Sequence, residues 1–330
     1  HFDAVREQWV RPEHWPSQHT LALYARVDGG FCVWDPIRNE GASNTGRADV
    51  LPAYRFTPEA LWNGVEEHGR TWCNGLLRDW VDWQYRRTGL FDALKDVLAG
   101  LSLPDEPLRP GQPVRVSMHQ ALDIPTLELS YGTVPILHAS AAVRRILGLA
   151  YLLVWSWNEH REAARLAGRP LAERVLLLID EVESHLHPKW QRLLLPALLR
   201  VIQRLTGEVE VRVVASTHAP LVMASLESHF DSERDKVFRF GIERGRILVE
   251  EQAWAPQGDA VGWLVSDTFG LKQARSQEAE QAIEAAEAYL RHEPLAGYET
   301  PETISQRLRE VLPGHDPFWP RWQVSTGAVR

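Results

Sequence analysis

Two short apolar runs carry most of the information in this chain. Residues 175–179 read Val-Leu-Leu-Leu-Ile, and residues 211–215 read Val-Arg-Val-Val-Ala. An apolar run that is too short for a helix and does not alternate is typical of a strand buried on both faces of a parallel sheet. Polar residues follow each run, with Asp180 and Glu181 after the first and residues 216–218 (Ser-Thr-His) after the second. Because α/β folds bind ligands at the carboxyl ends of parallel strands, we expect a functional site there.

The remaining pattern predicts further strands and helices around these two runs. Asp28-Gly29-Gly30 lies between two apolar segments and predicts the turn of a β-hairpin. Trp72, Trp80 and Trp83 occur with aliphatic neighbours and without a basic surround, which favours core packing over base stacking. Hairpins are predicted over residues 21–34 and 236–250, and helices from residue 58, over 73–87, over 140–166, from 189, over 221–226, over 276–292 and over 301–311.

The two acids after the first run have a specific chemistry available to them. An aspartate at the tip of an apolar strand can hold Mg²⁺ through water, and a glutamate beside it can polarise a water for attack on a phosphoryl group. A Thr-His pair at the tip of the neighbouring strand can reach the transferred phosphate. An apolar strand that ends in Asp-Glu also occurs by chance in many α/β proteins, so the acids are informative mainly together with the second run.

The order and spacing of these residues resemble the catalytic half of ATP-binding-cassette-class ATPases. Residues 178–188 read Leu-Ile-Asp-Glu-Val-Glu-Ser-His-Leu-His-Pro, and residues 216–220 read Ser-Thr-His-Ala-Pro. The closest variety is the one shared by overcoming-lysogenization-defect (OLD), RecF and SMC-like proteins. The resemblance implies an α/β fold, in which an ABC-type ATPase lobe has a mostly parallel sheet flanked by helices, with smaller helical and hairpin additions.

The resemblance also implies a role for each matching residue. Asp180 would be the Walker B aspartate that holds the metal, and Glu181 would be the catalytic glutamate. His218 would be the switch histidine at the γ-phosphate. The implied cofactors are ATP and Mg²⁺.

Residues 184–188 would form the D-loop, in which Ser184 and His187 would contact the nucleotide. A different chemistry stays open, because His185 and His187 beside carboxylates would also suit Zn²⁺ in a metal-dependent hydrolase. The helix predicted after Pro188 would carry His187 away from the strand tip, which favours the D-loop.

Ser140 is a second candidate contact to phosphate. It is a competent N-cap before a helical run to about Leu166, and a capped helix start with free amides is an anion site. In the resembling class, the signature motif places such a serine from the second protomer on the γ-phosphate of ATP. Ala142 stands where that motif usually has glycine. Residues 129–132, Leu-Ser-Tyr-Gly, look closer to the motif, but Pro135 follows and predicts no helix there, so we favour Ser140.

Two adjacent arginines follow in the same predicted helix. Arg144 and Arg145 can support the phosphate at Ser140, or they can solvate the surface of the helix. The sequence leaves both interpretations open.

Composition narrows the class of protein and its partners. The chain has 330 residues, is 44% hydrophobic and 24% charged, and carries a formal net charge of -8. These values are ordinary for a globular protein, and the charge does not indicate binding to DNA, although a local basic groove stays open. Two cysteines predict no disulfide framework. No signal peptide or membrane-length apolar run is present, so we expect a cytoplasmic protein without membrane contact.

A complete ATPase of this class needs a Gly-x-x-x-x-Gly-Lys-Ser/Thr loop, whose amides and lysine hold the phosphates. No lysine in the sequence follows a glycine. Residues 41–48 have Arg and Ala where Lys and Ser/Thr belong, so we predict an ordinary loop there. We therefore expect the chain to be the C-terminal part of a longer protein with its phosphate loop upstream, and to be inactive alone.

Three parts are predicted: a mixed α/β region over 1–120, the ATPase catalytic half over 121–255, and a C-terminal helical extension over 256–330. The expected function is binding and hydrolysis of ATP with Mg²⁺ at a homodimer interface. By family-level analogy, the process is DNA repair or phage defence, beside a nuclease or another effector protein. The alternative is a binding or scaffold module of the same fold that has lost hydrolysis.

Overall fold

A five-stranded mixed sheet organises the larger of the two units into which the chain divides. The structure is a computed structural model that describes residues 2–3, 8–9, 19–39, 53–67, 69–119, 121–293 and 300–326. The first unit is His1–Phe230 and the second is Asp231–Arg330. The loop predicted over residues 41–48 lies outside the described residues.

The first unit contains both strands and helices, in groups along the chain. Its strands are β1 (Phe2–Asp3), β2 (Gln8–Trp9), β3 (Thr20–Ala25), β4 (Phe31–Trp34), β5 (Tyr54–Phe56), β6 (Val65–Glu67), β7 (Arg70–Cys73), β8 (Arg109–Pro110), β9 (Val114–Arg115), β10 (Asp123–Ile124), β11 (Thr126–Leu129), β12 (Gly132–Pro135), β13 (Arg174–Ile179) and β14 (Glu210–Ala215). Its helices are α1 (Pro58–Asn63), α2 (Leu76–Arg86), α3 (Gly89–Leu101), α4 (Ala141–Ala167), α5 (Pro188–Gln191), α6 (Leu194–Thr206) and α7 (Pro220–Leu226), with a 3₁₀ turn at Ile136–His138.

β13 lies between two parallel partners in the main sheet, whose strand order is β14-β13-β3-β4-β5. The register places Ile179 opposite Ala25 on one side and opposite Ala215 on the other. β4 runs antiparallel to both β3 and β5. The turn from β3 to β4 uses Gly29 at φ +81°, and Asp28 accepts a hydrogen bond of 2.9 Å from the amide two residues on. The predicted hairpin is therefore confirmed, as is an α/β fold with a central sheet flanked by helices.

Burial along β13 alternates, which corrects the expectation of a strand buried on both faces. Val175, Leu177 and Ile179 are almost fully buried and join the main core. Leu176 and Leu178 are only half-buried. The cause is that side chains of the described residues complete the core on one face of this strand and cover the other face only in part.

α4 passes through the main core and is buried along most of its first five turns. It packs closely on α1, because a Cβ added at Gly148 would lie 2.8 Å from Leu61 Cδ2. Trp80 is fully buried, and the ring of Trp83 stacks on that of Tyr151 with centroids 5.8 Å apart. These two tryptophans pack in the core, as predicted.

A buried histidine joins three segments around β13. His160 in α4 is fully buried, its Nδ1 lies 3.1 Å from Asp35 Oδ1, and its Nε2 accepts a hydrogen bond of 2.8 Å from the Ala172 amide. That acceptor role assigns the ring proton to Nδ1, which donates to Asp35. Asp35 also accepts hydrogen bonds from the amides of Ile37 and Arg38. The loop after β4, helix α4 and the segment that leads into β13 are therefore fixed to one another.

The second unit has its own hairpin and helical core. Its elements are β15 (Val237–Glu243), β16 (Arg246–Gln252), α8 (Ala260–Leu264), α9 (Gln277–Leu290), α10 (Pro301–Val311) and α11 (Phe318–Thr326). β15 and β16 pair antiparallel along their whole length. Phe318 and Trp322 from α11 are buried against α9 and α10 in one apolar cluster. The aromatic residues near the end of the sequence thus build the core of this unit.

Replacement of Asp35 by asparagine is expected to destabilise the first unit. Burial raises the pKa of Asp35, but its hydrogen bonds from His160 and from backbone amides outweigh burial and hold the pKa below its ordinary 3.8. The stability that this carboxylate contributes is therefore present above about pH 4 and is lost as the pH falls through the lowered pKa. We expect Asp35→Asn to cost about 2 kcal/mol at pH 7 and to weaken the acid dependence below pH 4.

Urea unfolding at pH 7 and at pH 3 measures both effects. Asp92→Asn in α3 is the matched control, because Asp92 is exposed and, among the described residues, pairs only with Lys95 one turn away. It should change stability by less than about 0.5 kcal/mol. Equal unfolding midpoints for wild type and Asp35→Asn at pH 7 would contradict the assigned role of Asp35.

Candidate functional site

The carboxyl ends of β13 and β14 meet at one edge of the main sheet. Asp180 and Glu181 follow β13 directly, and residues 216–218 follow β14 directly. Because the two strands are parallel and paired in register, the two polar segments lie side by side. The structure thus places Asp180, Glu181 and His218 at adjacent strand ends, while their chemical roles remain predictions.

Ser216 links the two strand ends. Its Oγ donates to Asp180 Oδ1 at 2.7 Å and accepts a hydrogen bond of 2.8 Å from the Glu181 amide. Its backbone continues the link, because its amide donates to Ile179 O and its carbonyl accepts from the Val182 amide. The sequence alone gives Ser216 no role, since nothing in its motif shows which neighbour its hydroxyl contacts.

Glu183 makes a second link between the same two segments. Its Oε2 accepts a hydrogen bond of 2.7 Å from Thr217 Oγ1, and its Oε1 accepts one of 2.5 Å from the His218 amide. Both carboxylate oxygens are thus used to hold the backbone at His218 in place. Glu183 is a site residue that the sequence-based prediction does not include, although its position two residues after Glu181 is a signal for it.

Glu181 stands at a strained point of this loop. Its φ is +45°, in the left-handed region that side chains other than those of asparagine and aspartate seldom adopt. The side chain is half-buried, and within the described ranges its carboxylate accepts no hydrogen bond. The carboxylate is therefore available to orient a water or to accept a proton.

The segment predicted as the D-loop is a series of tight turns. The Ser184 amide donates to Glu181 O at 2.8 Å, and His185 has φ +63°. His187 caps α5, because its Nδ1 accepts a hydrogen bond of 3.3 Å from the Lys189 amide. This cap is a structural contact that the sequence analysis did not foresee for His187. Among the described residues no group of three or more His, Cys, Asp and Glu side chains is arranged to hold a metal ion, so the zinc alternative gains no support.

Ser140 forms the predicted helix cap. Its Oγ accepts a hydrogen bond of 3.3 Å from the Val143 amide, and α4 runs on to Ala167. The competing Leu-Ser-Tyr-Gly segment is the turn between β11 and β12, where Leu129 pairs with Gly132 and no helix begins. Of the two candidates for an anion-binding helix start, Ser140 is the one with a helix behind it.

The adjacent arginines of α4 have different surroundings. Arg144 is exposed and lies over the ring of Trp62, with its Cζ 5.0 Å from the ring centroid. Arg145 is half-buried and donates to two backbone carbonyls, to Arg26 O at 3.2 Å and to Asp180 O at 3.4 Å. For Arg145 these contacts add a third interpretation, a link to the strand ends, to the two that the sequence leaves open.

The strand ends concentrate negative charge around one arginine. Burial lowers the pKa of Arg145, and the charges of Asp180, Asp28, Glu181 and Glu183 act in the opposite direction. The excess of carboxylates would repel a polyphosphate unless a cation accompanied it.

The oxygen atoms at the strand ends fit such a cation. Ser216 occupies Oδ1 of Asp180, so Oδ2 would be the oxygen that could serve a metal ion, and the Glu181 carboxylate lies next in the chain. Carboxylate oxygens and water are the ligands that Mg²⁺ prefers. The donor set therefore fits Mg²⁺ better than a softer metal.

Comparison with known proteins adds family evidence to this geometry. The family described as "AAA domain, putative AbiEii toxin, Type IV TA system" matches residues 53–224, just over half of the chain. Retron Vc95 probable ATPase of Vibrio cholerae serotype O1 biovar El Tor is 24% identical over 151 residues, which cover 46% of this chain and 26% of that protein. Septu protein PtuA of Bacillus thuringiensis is 26% identical over 122 residues, which cover 36% of this chain and 28% of that protein. The match thus spans about a quarter of each relative.

A solved structure of an SMC ATPase was also compared with the chain. The work on it concerns ATP-driven dimerization and DNA stimulated activation of SMC ATPases. It aligns with 14% identity and a TM-score of 0.33, over 52% of this chain and 88% of that one. A likeness of this size carries no argument about fold or function.

None of the helices in the described part of the chain has the length and apolarity needed to cross a bilayer.

Removal of the Glu183 carboxylate is expected to loosen the backbone at His218. In Glu183→Ala the His218 amide loses a charged acceptor, and such a hydrogen bond contributes about 1.5–3 kcal/mol. We therefore expect hydrogen exchange at the His218 amide to become at least about tenfold faster, as measured by residue-resolved exchange. Glu128→Ala, at an exposed position in β11, should leave that rate unchanged. An unchanged rate in Glu183→Ala would show that the Glu183 link does not hold the loop.

Proposed function

The chain belongs to the AAA-domain family of ATPases, and on this premise we propose that it supplies the catalytic half of a site that hydrolyses ATP. The observation that carries the proposal is the cross-linked pair of strand ends. Ser216 holds both Asp180 and Glu181 at one strand end, and Glu183 holds His218 at the other. Acidic and imidazole residues whose backbone is fixed at the ends of two adjacent parallel strands suit a phosphoryl-transfer site better than an accidental surface cluster.

Each residue has a role in this proposal that follows from its contacts. Asp180 would hold the metal ion through Oδ2, because its other carboxylate oxygen is held by Ser216. Glu181 orients the attacking water and accepts its proton. His218 contacts the γ-phosphate, and Ser184 contacts the nucleotide from the turn beside Glu181. Bound Mg²⁺ would supply positive charge to the phosphate oxygens.

His187 can contact the nucleotide only through the ring nitrogen that does not cap α5. Its Nδ1 is engaged with the Lys189 amide. A role in nucleotide binding would then fall to Nε2, which makes His187 the weakest member of the proposed set.

In the proposed homodimer, Ser140 contributes to the ATP site of the partner chain. The capped start of α4 is an anion site with a long helix behind it. In the proposed homodimer this helix start faces the γ-phosphate bound to the partner, so that each ATP is held between two copies. Binding of ATP would then favour the closed dimer, and hydrolysis would favour its opening.

The phosphate loop is proposed to come from residues outside the printed sequence. The printed chain has no Gly-Lys-Ser/Thr segment, and its match spans about a quarter of each curated relative. A module of the same fold that binds without hydrolysis is the second candidate, and the absent Gly-Lys-Ser/Thr segment is the observation that favours it. Activity of the complete protein decides between the two.

The process served by this ATPase is also a proposal. One relative is named as a retron ATPase and the other as a Septu protein, and the family-level resemblance points to defence against phage beside a nuclease or another effector. A contact with DNA is a weaker proposal, because the net charge of the chain is -8.

Glu181→Gln in the complete protein is expected to remove turnover and to keep ATP-dependent dimerisation. The amide preserves the shape of the side chain and cannot accept the proton of the attacking water, which should lower kcat by about 10²–10⁴-fold. Asp180→Ala should weaken binding of Mg-ATP itself, because it removes the carboxylate that serves the metal. Phosphate release and sedimentation, with and without ATP, separate the two effects.

Glu208→Gln is the matched control for that experiment, because Glu208 is exposed in the turn after α6. It should hydrolyse ATP at the wild-type rate. Wild-type turnover by Glu181→Gln would mean that Glu181 is a structural carboxylate and that the proposed base is wrong.

The 330 residues alone are expected neither to bind ATP tightly nor to hydrolyse it. The phosphate loop provides most of the phosphate contacts in sites of this kind, and the proposed residues supply mainly carboxylates. Titration calorimetry of the printed chain with Mg-ATP tests this expectation. Binding at micromolar ATP would reveal a phosphate site that the proposal lacks.

A further inference from the structure

Arg145 joins the start of α4 to the ends of two strands. Its Nη1 donates to Arg26 O, just after β3, and its Nη2 donates to Asp180 O, just after β13. The side chain is half-buried, so these contacts are partly shielded from water. A guanidinium can make both contacts at once because its donors form a rigid planar fork.

The segment from Ser140 to Arg145 is short and, as part of a continuous helix, rigid. The helix is continuous from Ala141 to Ala167, and five residues correspond to about 7.5 Å of rise. The next residues, Ile146 and Leu147, are fully buried. A displacement of the helix start would therefore move Arg145 with it.

The contacts of Arg145 are with the backbone at Asp180, next to the candidate base. The Asp180 amide donates to Ala25 O, so the backbone at Asp180 is held on both sides. Glu181 follows at a strained φ of +45°. A small shift of the Asp180 carbonyl would therefore alter the direction of the Glu181 side chain.

From these contacts, and resting on the proposed function, we propose that Arg145 is a positioning residue that couples two ATP sites through α4. Ser140 at the start of the helix contacts the ATP bound to the partner, and Arg145 of the same helix sets the Asp180–Glu181 backbone at the chain's own ATP. Occupancy of one site is thereby transmitted to the geometry of the other. Arg145 touches neither nucleotide, so it acts through Asp180.

Asp28, Glu181 and Glu183 also carry charges that act on Arg145. Their attraction favours a position of the guanidinium at the strand ends, where it donates to the carbonyls of Arg26 and Asp180.

A double-mutant cycle on kcat in the complete protein tests the coupling. The variants are Ser140→Ala, Arg145→Met and the pair, with kcat and KM for Mg-ATP measured for each. We expect Ser140→Ala to lower kcat about tenfold in the wild-type background and about threefold in the Arg145→Met background, because the transmitted part is already lost there and only the direct contact with the partner's ATP remains to be removed. The Kd of a non-hydrolysable ATP analogue should be nearly unchanged in Arg145→Met, and Arg145→Lys should restore part of kcat.

Arg144→Met is the matched control, because Arg144 precedes Arg145 in α4 but lies over Trp62 and, among the described residues, makes no hydrogen bond to either strand end. In the Arg144→Met background Ser140→Ala should again lower kcat about tenfold. Urea unfolding of the same variants reports structural damage. Such damage alone would reduce the amount of folded enzyme, and the factors by which the two substitutions lower kcat would then simply multiply.

The outcomes separate this inference from the proposed function. If Glu181→Gln is inactive and the decreases in kcat caused by Ser140→Ala and Arg145→Met multiply in the double variant, the coupling is wrong and the ATPase proposal stands. If Ser140→Ala leaves kcat unchanged in the wild-type background, the coupling is also wrong. If Glu181→Gln hydrolyses ATP at the wild-type rate, the proposed function fails first, and the inference that rests on it falls with it.

Discussion

The pairing of β13 between β3 and β14 is the constraint on which the rest of the first unit depends. With Ile179 opposite both Ala25 and Ala215, all three strands end at one level, and the residues that follow them must meet. A shift of one residue would turn Val175, Leu177 and Ile179 away from the core. The same apolar contacts that stabilise the fold therefore set the positions of the polar residues at the candidate site.

Much of this arrangement could be predicted because its signals are local. The two apolar runs identify the strands, Asp-Gly-Gly identifies the hairpin turn, and Ser140 identifies the start of α4. The polar residues of the strand ends follow from those elements without further information. Such signals depend on the backbone within a few residues, and a sequence displays them directly.

The contacts that hold the site could not be predicted in the same way. Arg144 and Arg145 are identical side chains in adjacent positions, and only the rotation of α4 against the sheet decides which one reaches Asp180. Glu183 and Ser216 bind across two strands that are far apart in the chain. The half-burial of Leu176 and Leu178 likewise depends on what covers the sheet, since five apolar residues in a row read the same whether one face or both are covered.

At Glu181, the positive φ sets the stability of the backbone against the proposed role of the side chain. A left-handed conformation costs an ordinary side chain about 1–2 kcal/mol, and asparagine or glycine tolerates it better. A lineage no longer selected for the carboxylate would gain stability by accepting asparagine here, and its descendants would keep the fold while drifting away from its chemistry. A glutamate at such a backbone position therefore fits the proposed role of its carboxylate, which packing alone does not require.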